Sequence, residues 1–270
     1  MKRKVRYQLL LIPQGEARLV HFSHERMVRT GMGKREVLRS LQPYVDRARN
    51  FTGWSFPQDS WRRLGPPVPW DYGLLVREAG RCANSVLDMG TGGGEFLAGV
   101  SSSLPECTVA TEEWPVNVPV AKSRLARIGI ETVHCRSVQL PFKADGFDLV
   151  INRHEELEPR EVARVIAPGG RVITQQVGRD NWKELRAYFP NVADFGDHRK
   201  RYAEGFEAEG LRITVNLSHD YKVAFGELGD FVFMLAVTPW TVPGFSLERD
   251  IDALLSLYGG LSNRERLGTY

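Results

Sequence analysis

The chain has 270 residues, enough to bury a full core, and one domain of about 200 residues plus an extension is the natural expectation. A hydrophobic content of 42% with 26% charged residues is that of an ordinary globular protein. No apolar run nears the roughly 18 residues that span a bilayer, so no membrane association is expected. The net charge is only +3, but residues 1–70 alone hold 14 Lys and Arg against 5 Asp and Glu. A basic arm on an acidic remainder fits contact with nucleic acid, and it equally fits a solvated arm, since no RNA-binding module is legible. Cys82, Cys107 and Cys135 lie far apart with no C-x-x-C pair, so neither a disulfide framework nor a metal site is expected, and the cytoplasm is the expected compartment.

In chain order, residues 5–12 and 18–22 read as a hairpin about Pro13-Gln14-Gly15-Glu16, and the first apolar run reads as a strand and not as a signal peptide. Residues 34–50 read as a helix disturbed by Pro43. Residues 51–72 are dense in Pro, Trp and Gly, which bars a helix or a central strand. They are too aromatic for a free linker, so they should cover a sheet edge or a pocket. A helix over 72–81 leads into the stretch on which the chain turns, Val86-Leu87-Asp88-Met89-Gly90-Thr91-Gly92-Gly93-Gly94-Glu95-Phe96-Leu97. A short apolar run, an aspartate and then four glycines in five positions read as a buried strand bending sharply into a helix around a ligand. The new helix offers unpaired N–H groups there.

From residue 86 strand and helix alternate, which predicts a parallel sheet with helices on both faces. The second strand, 108–111, ends at Glu112-Glu113-Trp114. An acid at that tip, 24 residues beyond Asp88, suits vicinal ribose hydroxyls, because a carboxylate accepts two hydrogen bonds. Trp114 beside it can stack on a base. Strand three, 131–135, precedes Arg136-Ser137-Val138 and Leu140-Pro141-Phe142, and strand four, 147–151, runs into Asn152-Arg153-His154. A helix at 161–166 and Pro168-Gly169-Gly170 lead to strand five, 171–176, ending in Gln175 and Gln176. Helices at 181–189 and 200–209 follow, then a strand at 211–217 with an antiparallel partner at 219–225, and helices at 229–237 and 247–258.

The spacing Asp-x-Gly-x-Gly-x-Gly differs from the G-x-G-x-x-G dinucleotide fingerprint and resembles motif I of the class I S-adenosylmethionine-dependent methyltransferases. Leu-Pro-Phe, Phe-Asp-Leu-Val and Pro-Gly-Gly, in that order, match further landmarks of that family, and the resemblance covers residues 72–217. It implies a Rossmann-like, doubly wound, mostly parallel seven-stranded sheet over residues 72–270, with 1–71 as a basic extension and cover. It implies S-adenosyl-L-methionine as cofactor, held by Asp88, Gly90, Thr91, Gly92 and Gly94, with Asp88 near the ammonium. Aligning the residues 121–125 with the family's second helix selects Glu112 over Glu113 for the ribose. Glu113, Trp114, Ser137, Val138 and Asn152 complete the expected cofactor shell. Where many members carry an acid for the adenine amino group after strand three, this chain has Arg136. The residues at the strand tips, Arg153, His154, Gln175 and Gln176, with Trp70 and Tyr72 of the cover, are the expected acceptor contacts, and His154 is the candidate general base. A small-molecule acceptor leads; an RNA acceptor held by the basic arm and a non-catalytic cofactor-binding module are the alternatives.

Overall fold

A computed structural model describes residues 7–22, 32–57 and 60–266, with side chains described at Leu19 and over 32–57 and 60–261. Nine strands form one sheet, β1 (Tyr7–Phe22), β2 (Trp61–Leu64), β3 (Ser85–Met89), β4 (Cys107–Glu112), β5 (Glu131–His134), β6 (Phe147–Arg153), β7 (Ile166–Val177), β8 (Leu211–Asn216) and β9 (His219–Phe225). Among the described residues eight helices accompany them, α1 (Lys34–Arg49), α2 (Tyr72–Gly80), α3 (Glu95–Val100), α4 (Val118–Ala126), α5 (Pro159–Val165), α6 (His198–Ala208), α7 (Leu228–Val237) and α8 (Leu247–Arg266). The strand order is β2-β9-β1-β7-β6-β3-β4-β5, with β8 also paired to β1. Every pairing is parallel except β2 with β9.

The half β5-β4-β3-β6-β7 follows from its sequence. Each central strand is apolar on both sides, as a strand covered by helices must be, and period-two alternation sorts the side chains by face. Val86, Leu149, Ile151 and Ile173 pack with α2, α3 and α4, whereas Leu87, Met89, Val150 and Val172 pack with α5 and α6. Helix starts carry the expected caps: Asp71 accepts from Leu74 N–H at 2.9 Å and Asp197 from Lys200 N–H at 3.0 Å. Pro159 opens α5, where its missing N–H costs nothing.

The other half departs from the sequence expectation in three ways. Residues 7–22 are one strand and not a hairpin, so the sheet has nine strands rather than seven. Pro13-Gln14 pair along β7 in register with Gln176 and Val177, because β1 has neighbours on both sides that a hairpin would forgo. Residues 219–225 are not an antiparallel partner of 211–216: β8 and β9 run in the same direction, β8 beside the first part of β1 and β9 beside the second. Finally, residues 181–189 form only a short 3-10 turn at Lys183–Ala187. Pro168-Gly169-Gly170 falls inside β7, as a bulge between Ile166, opposite Phe147, and Arg171, opposite Leu149. The cover contributes only β2, on the sheet edge, where its proline-rich neighbours are tolerated. Helices α1, α7 and α8 close this half over a core of Leu41, Phe225, Phe231, Leu235, Ile251 and Leu254. Among the described residues no helix is long and apolar enough to cross a membrane.

Candidate functional site

Strand β3 delivers Asp88 to the carboxyl edge of the sheet, and the chain must then reverse within a few residues to start α3. Gly92 takes φ +64° and Gly94 +78°, conformations a side chain would strain. The bend is tied to its neighbour: Thr91 N–H donates to Thr111 O at 2.8 Å, and Gly92 N–H donates to Glu112 Oε2 at 2.6 Å. The other oxygen of Glu112 accepts from Trp114 N–H at 2.8 Å. The acid at the tip of β4 is thus turned onto the glycine loop. Glu113 instead points outward and pairs with Arg136 at 3.3 Å.

Three carboxyls crowd this edge. Burial raises Asp88 to about 6, against the opposing Thr91 hydroxyl and Arg153 charge. Burial likewise raises Glu112, and the nearby Asp88 and Glu113 add to it while its two backbone donors oppose it. Glu155, which sequence reasoning passed over within an acidic run, is pushed to about 7 by burial and by Glu112, Glu113 and Glu156, with the Ser137 hydroxyl opposing. Its side chain lies over Gly90, where an added Cβ would run into it. Such a cluster favours a positively charged ligand, whose charge would restore the ionised forms.

A polar network stands behind the tip of β6. Asn152 is fully buried, and its Oδ1 accepts from Thr174 Oγ1 at 2.9 Å and from Gln176 Nε2 at 2.5 Å. Its Nδ2 has no partner among the described residues. On the opposite face Tyr72 O–H donates to Asn152 O at 3.1 Å, and Trp70 Nε1–H donates to Gln175 Oε1 at 3.0 Å. The Gln175 oxygen being an acceptor, its Nε2 is left to donate to His154 Nε2, 3.3 Å away, which fixes the His154 proton on Nδ1. His154 adopts φ +65°, held by its N–H to Gln175 O at 2.8 Å. His154 is exposed, and the surrounding protein and then the Arg153 charge push its pKa down. Ser137 is buried and Val138 half-buried beyond β5, beside the same edge.

The cover reaches the loop through residues not singled out from sequence. Gly53 N–H donates to Asn117 Oδ1 at 2.8 Å and Trp54 N–H to Glu95 Oε1 at 3.3 Å, and Glu95 pairs with Arg124 at 2.7 Å. The Trp54 indole rests against Gly92, where a Cβ would strike it. Trp54 also meets Trp240 with ring centres 5.7 Å apart, and Trp240 meets Trp114 at 6.0 Å. These three indoles, each 38–45% exposed, form an aromatic rim at the loop. The only sequence signal for Trp54 is the aromatic density of residues 51–72.

Residues 87–174 match the family model described as methyltransferase domain. A ubiquinone/menaquinone biosynthesis C-methyltransferase, UbiE, from Desulfotalea psychrophila is 29% identical over 118 residues, covering 41% of this chain and 48% of that protein. The chain thus spans about half the length of this curated relative. Among solved structures, the YcgJ protein of Bacillus subtilis is 23% identical over 51% of this chain and 66% of its own, with a TM-score of 0.42. A SAM-dependent methyltransferase from Aquifex aeolicus is 22% identical over 36% and 59%, with a TM-score of 0.32.

Proposed function

We propose that this chain, whose residues 87–174 match the methyltransferase-domain family model, is a class I methyltransferase that transfers a methyl group from S-adenosyl-L-methionine to a small-molecule acceptor. The observation that carries this reading is the Glu112 carboxylate turned onto the glycine loop beside buried Asp88.

The residues present fit that cofactor. Asn152 keeps a buried donor without a partner among the described residues, the carboxyl cluster suits a ligand bearing ammonium and sulfonium charges, and the bare backbone at Gly90 and Gly92 is covered only by the Glu155 and Trp54 side chains. Asp88, Gly90, Thr91, Gly92 and Gly94 would hold its amino-acid side, Glu112 its ribose, and Glu113, Trp114, Ser137, Val138 and Asn152 would complete the shell. Trp54 and Glu155 lie against the same loop, so both must shift to admit it. When bound, S-adenosylmethionine supplies an electrophilic methyl group, and what remains for the protein is chiefly to align the acceptor.

In this reading residues 72–270 carry the cofactor and acceptor groups, while residues 1–71 contribute β1 and β2 to the same sheet and, with β2, the cover. Trp70, Tyr72, His154, Gln175 and Gln176 face the acceptor, and Gln175 ties the cover to the strand tips. His154 is the candidate base: it can take a proton at Nε2 once the Gln175 amide gives way. A small-molecule acceptor is supported by the aromatic rim and by the relative whose name places it in quinone biosynthesis.

The test is transfer of label from methyl-labelled S-adenosylmethionine into fractionated cell extract by the purified chain. Label in the small-molecule fraction supports the reading, and none in any fraction contradicts it. His154→Ala should then lower the rate and flatten its pH profile; an unchanged profile removes the base assignment.

A further inference from the structure

We propose that the Arg153 guanidinium takes the carboxylate of the cofactor's α-amino-acid end, beside Asp88, which the family resemblance already sets near the ammonium. This rests on the cofactor reading above and assigns Arg153 to the donor rather than to the acceptor.

Sheet register brings the two side chains together. β3 and β6 are neighbours, with Asp88 opposite Ile151, so Arg153 stands two residues beyond Asp88 at the same edge of the sheet. Alternation places both on the face covered by α2 and α3, since Val86 and Ile151, two residues before each, pack there. The Arg153 guanidinium is centred 4.5 Å from the Phe96 ring and 5.7 Å from the Tyr72 ring, and those rings are 5.2 Å from each other. Two aromatic walls, one from each helix, therefore fix the plane of the fork and leave its edge free to bind.

Among the described residues Arg153 makes no ion pair, although its charge reaches Asp88 and acts on that carboxyl. A buried acid and an exposed, oriented guanidinium thus share one face without closing on each other. An α-amino acid carries an ammonium and a carboxylate on one carbon, so one such group can meet each of these opposite charges. A guanidinium also binds a carboxylate through two parallel N–H donors, which Lys cannot reproduce. The acceptor's own acid group would be an alternative source of carboxylate, and the experiment separates the two.

Calorimetric titration of the full chain compares three ligands: S-adenosylhomocysteine, its decarboxylated analogue, which keeps the amine, and 5′-methylthioadenosine, which lacks both groups. Arg153→Gln should weaken S-adenosylhomocysteine about tenfold or more and leave the other two within twofold of wild type, the loss expected for a charged hydrogen bond. Arg153→Lys should recover part of that loss. If Arg153→Gln leaves S-adenosylhomocysteine unaffected, the guanidinium does not serve the cofactor and the inference is overturned. An equal loss for all three ligands overturns it too, by revealing a structural role. If wild type binds none of the three, the cofactor reading itself fails.

Discussion

The two halves of the sheet do different work. The β5-β4-β3-β6-β7 half ends in strained turns and crowded acids, with His154 and three loop glycines at positive φ and two carboxyls raised to about 6 and about 7. The β1-β8-β9-β2 half ends against α1, α7 and α8, an apolar body with fully buried Phe231, Leu235, Ile251 and Leu254. One half keeps groups in states that a ligand would relieve, and the other supplies the packing that holds them there. Strain and unfavourable charge survive only where the surroundings over-determine them.

Substitutions should separate the two. The largest effect is expected at Gly92→Val. It adds a side chain at φ +64° against Trp54, and should remove cofactor binding altogether in titration while circular dichroism stays that of a folded protein. Next is Phe231→Ala in the packing half, expected to lower unfolding free energy by about 3–5 kcal/mol in urea melts, with cofactor affinity unchanged at temperatures where the chain is folded. Smaller again is Glu112→Gln, which should weaken cofactor by about 1–3 kcal/mol with little change in the melt. An equal loss of stability in Phe231→Ala and Glu112→Gln would erase the contrast between the halves.

The pH dependence sharpens it further. Asp88 and Glu155 have raised pKa values in the folded chain, so folding holds their protons where the unfolded chain has released them. Stability from this source is complete below the ordinary carboxylate range and declines as pH rises through about 6 and about 7. The melting temperature of the ligand-free chain should therefore fall from the ordinary carboxylate range up to about pH 7, and Glu155→Gln should flatten the slope. The smallest effect belongs to Trp54→Ala, expected to speed cofactor association a few-fold by stopped flow, since the indole no longer covers Gly92.

The functional half was legible because its signals are local. Residues 86–97 carry the strand, the acid and the glycines within one stretch, and Glu112 follows at the next strand tip. The packing half was not, because β1 gains its length from partners some 160 to 200 residues away, and no local pattern distinguishes a long strand from a hairpin around Pro13-Gln14-Gly15. Residues 211–217 and 219–225 read as an antiparallel pair for the same reason: only the neighbouring β1 makes both run in one direction. Trp54 and Glu155 escaped notice because an aromatic in a loop and an acid in an acidic run acquire meaning only when packed against Gly92 and Gly90. Glu112 was separable from Glu113 by alignment, and its hydrogen bond to Gly92 gives that choice a geometric basis.

In the proposed function the bend after Asp88 holds a cationic nucleoside tethered by Glu112. Isothermal titration of the full chain with S-adenosylmethionine at pH 6 and pH 8 tests it most directly. The account predicts saturable one-to-one binding that is tighter at pH 8, where the carboxyl cluster is ionised, and weakened in Glu112→Gln. Absence of heat at millimolar ligand, or equal affinity for wild type and Glu112→Gln at both pH values, would contradict it.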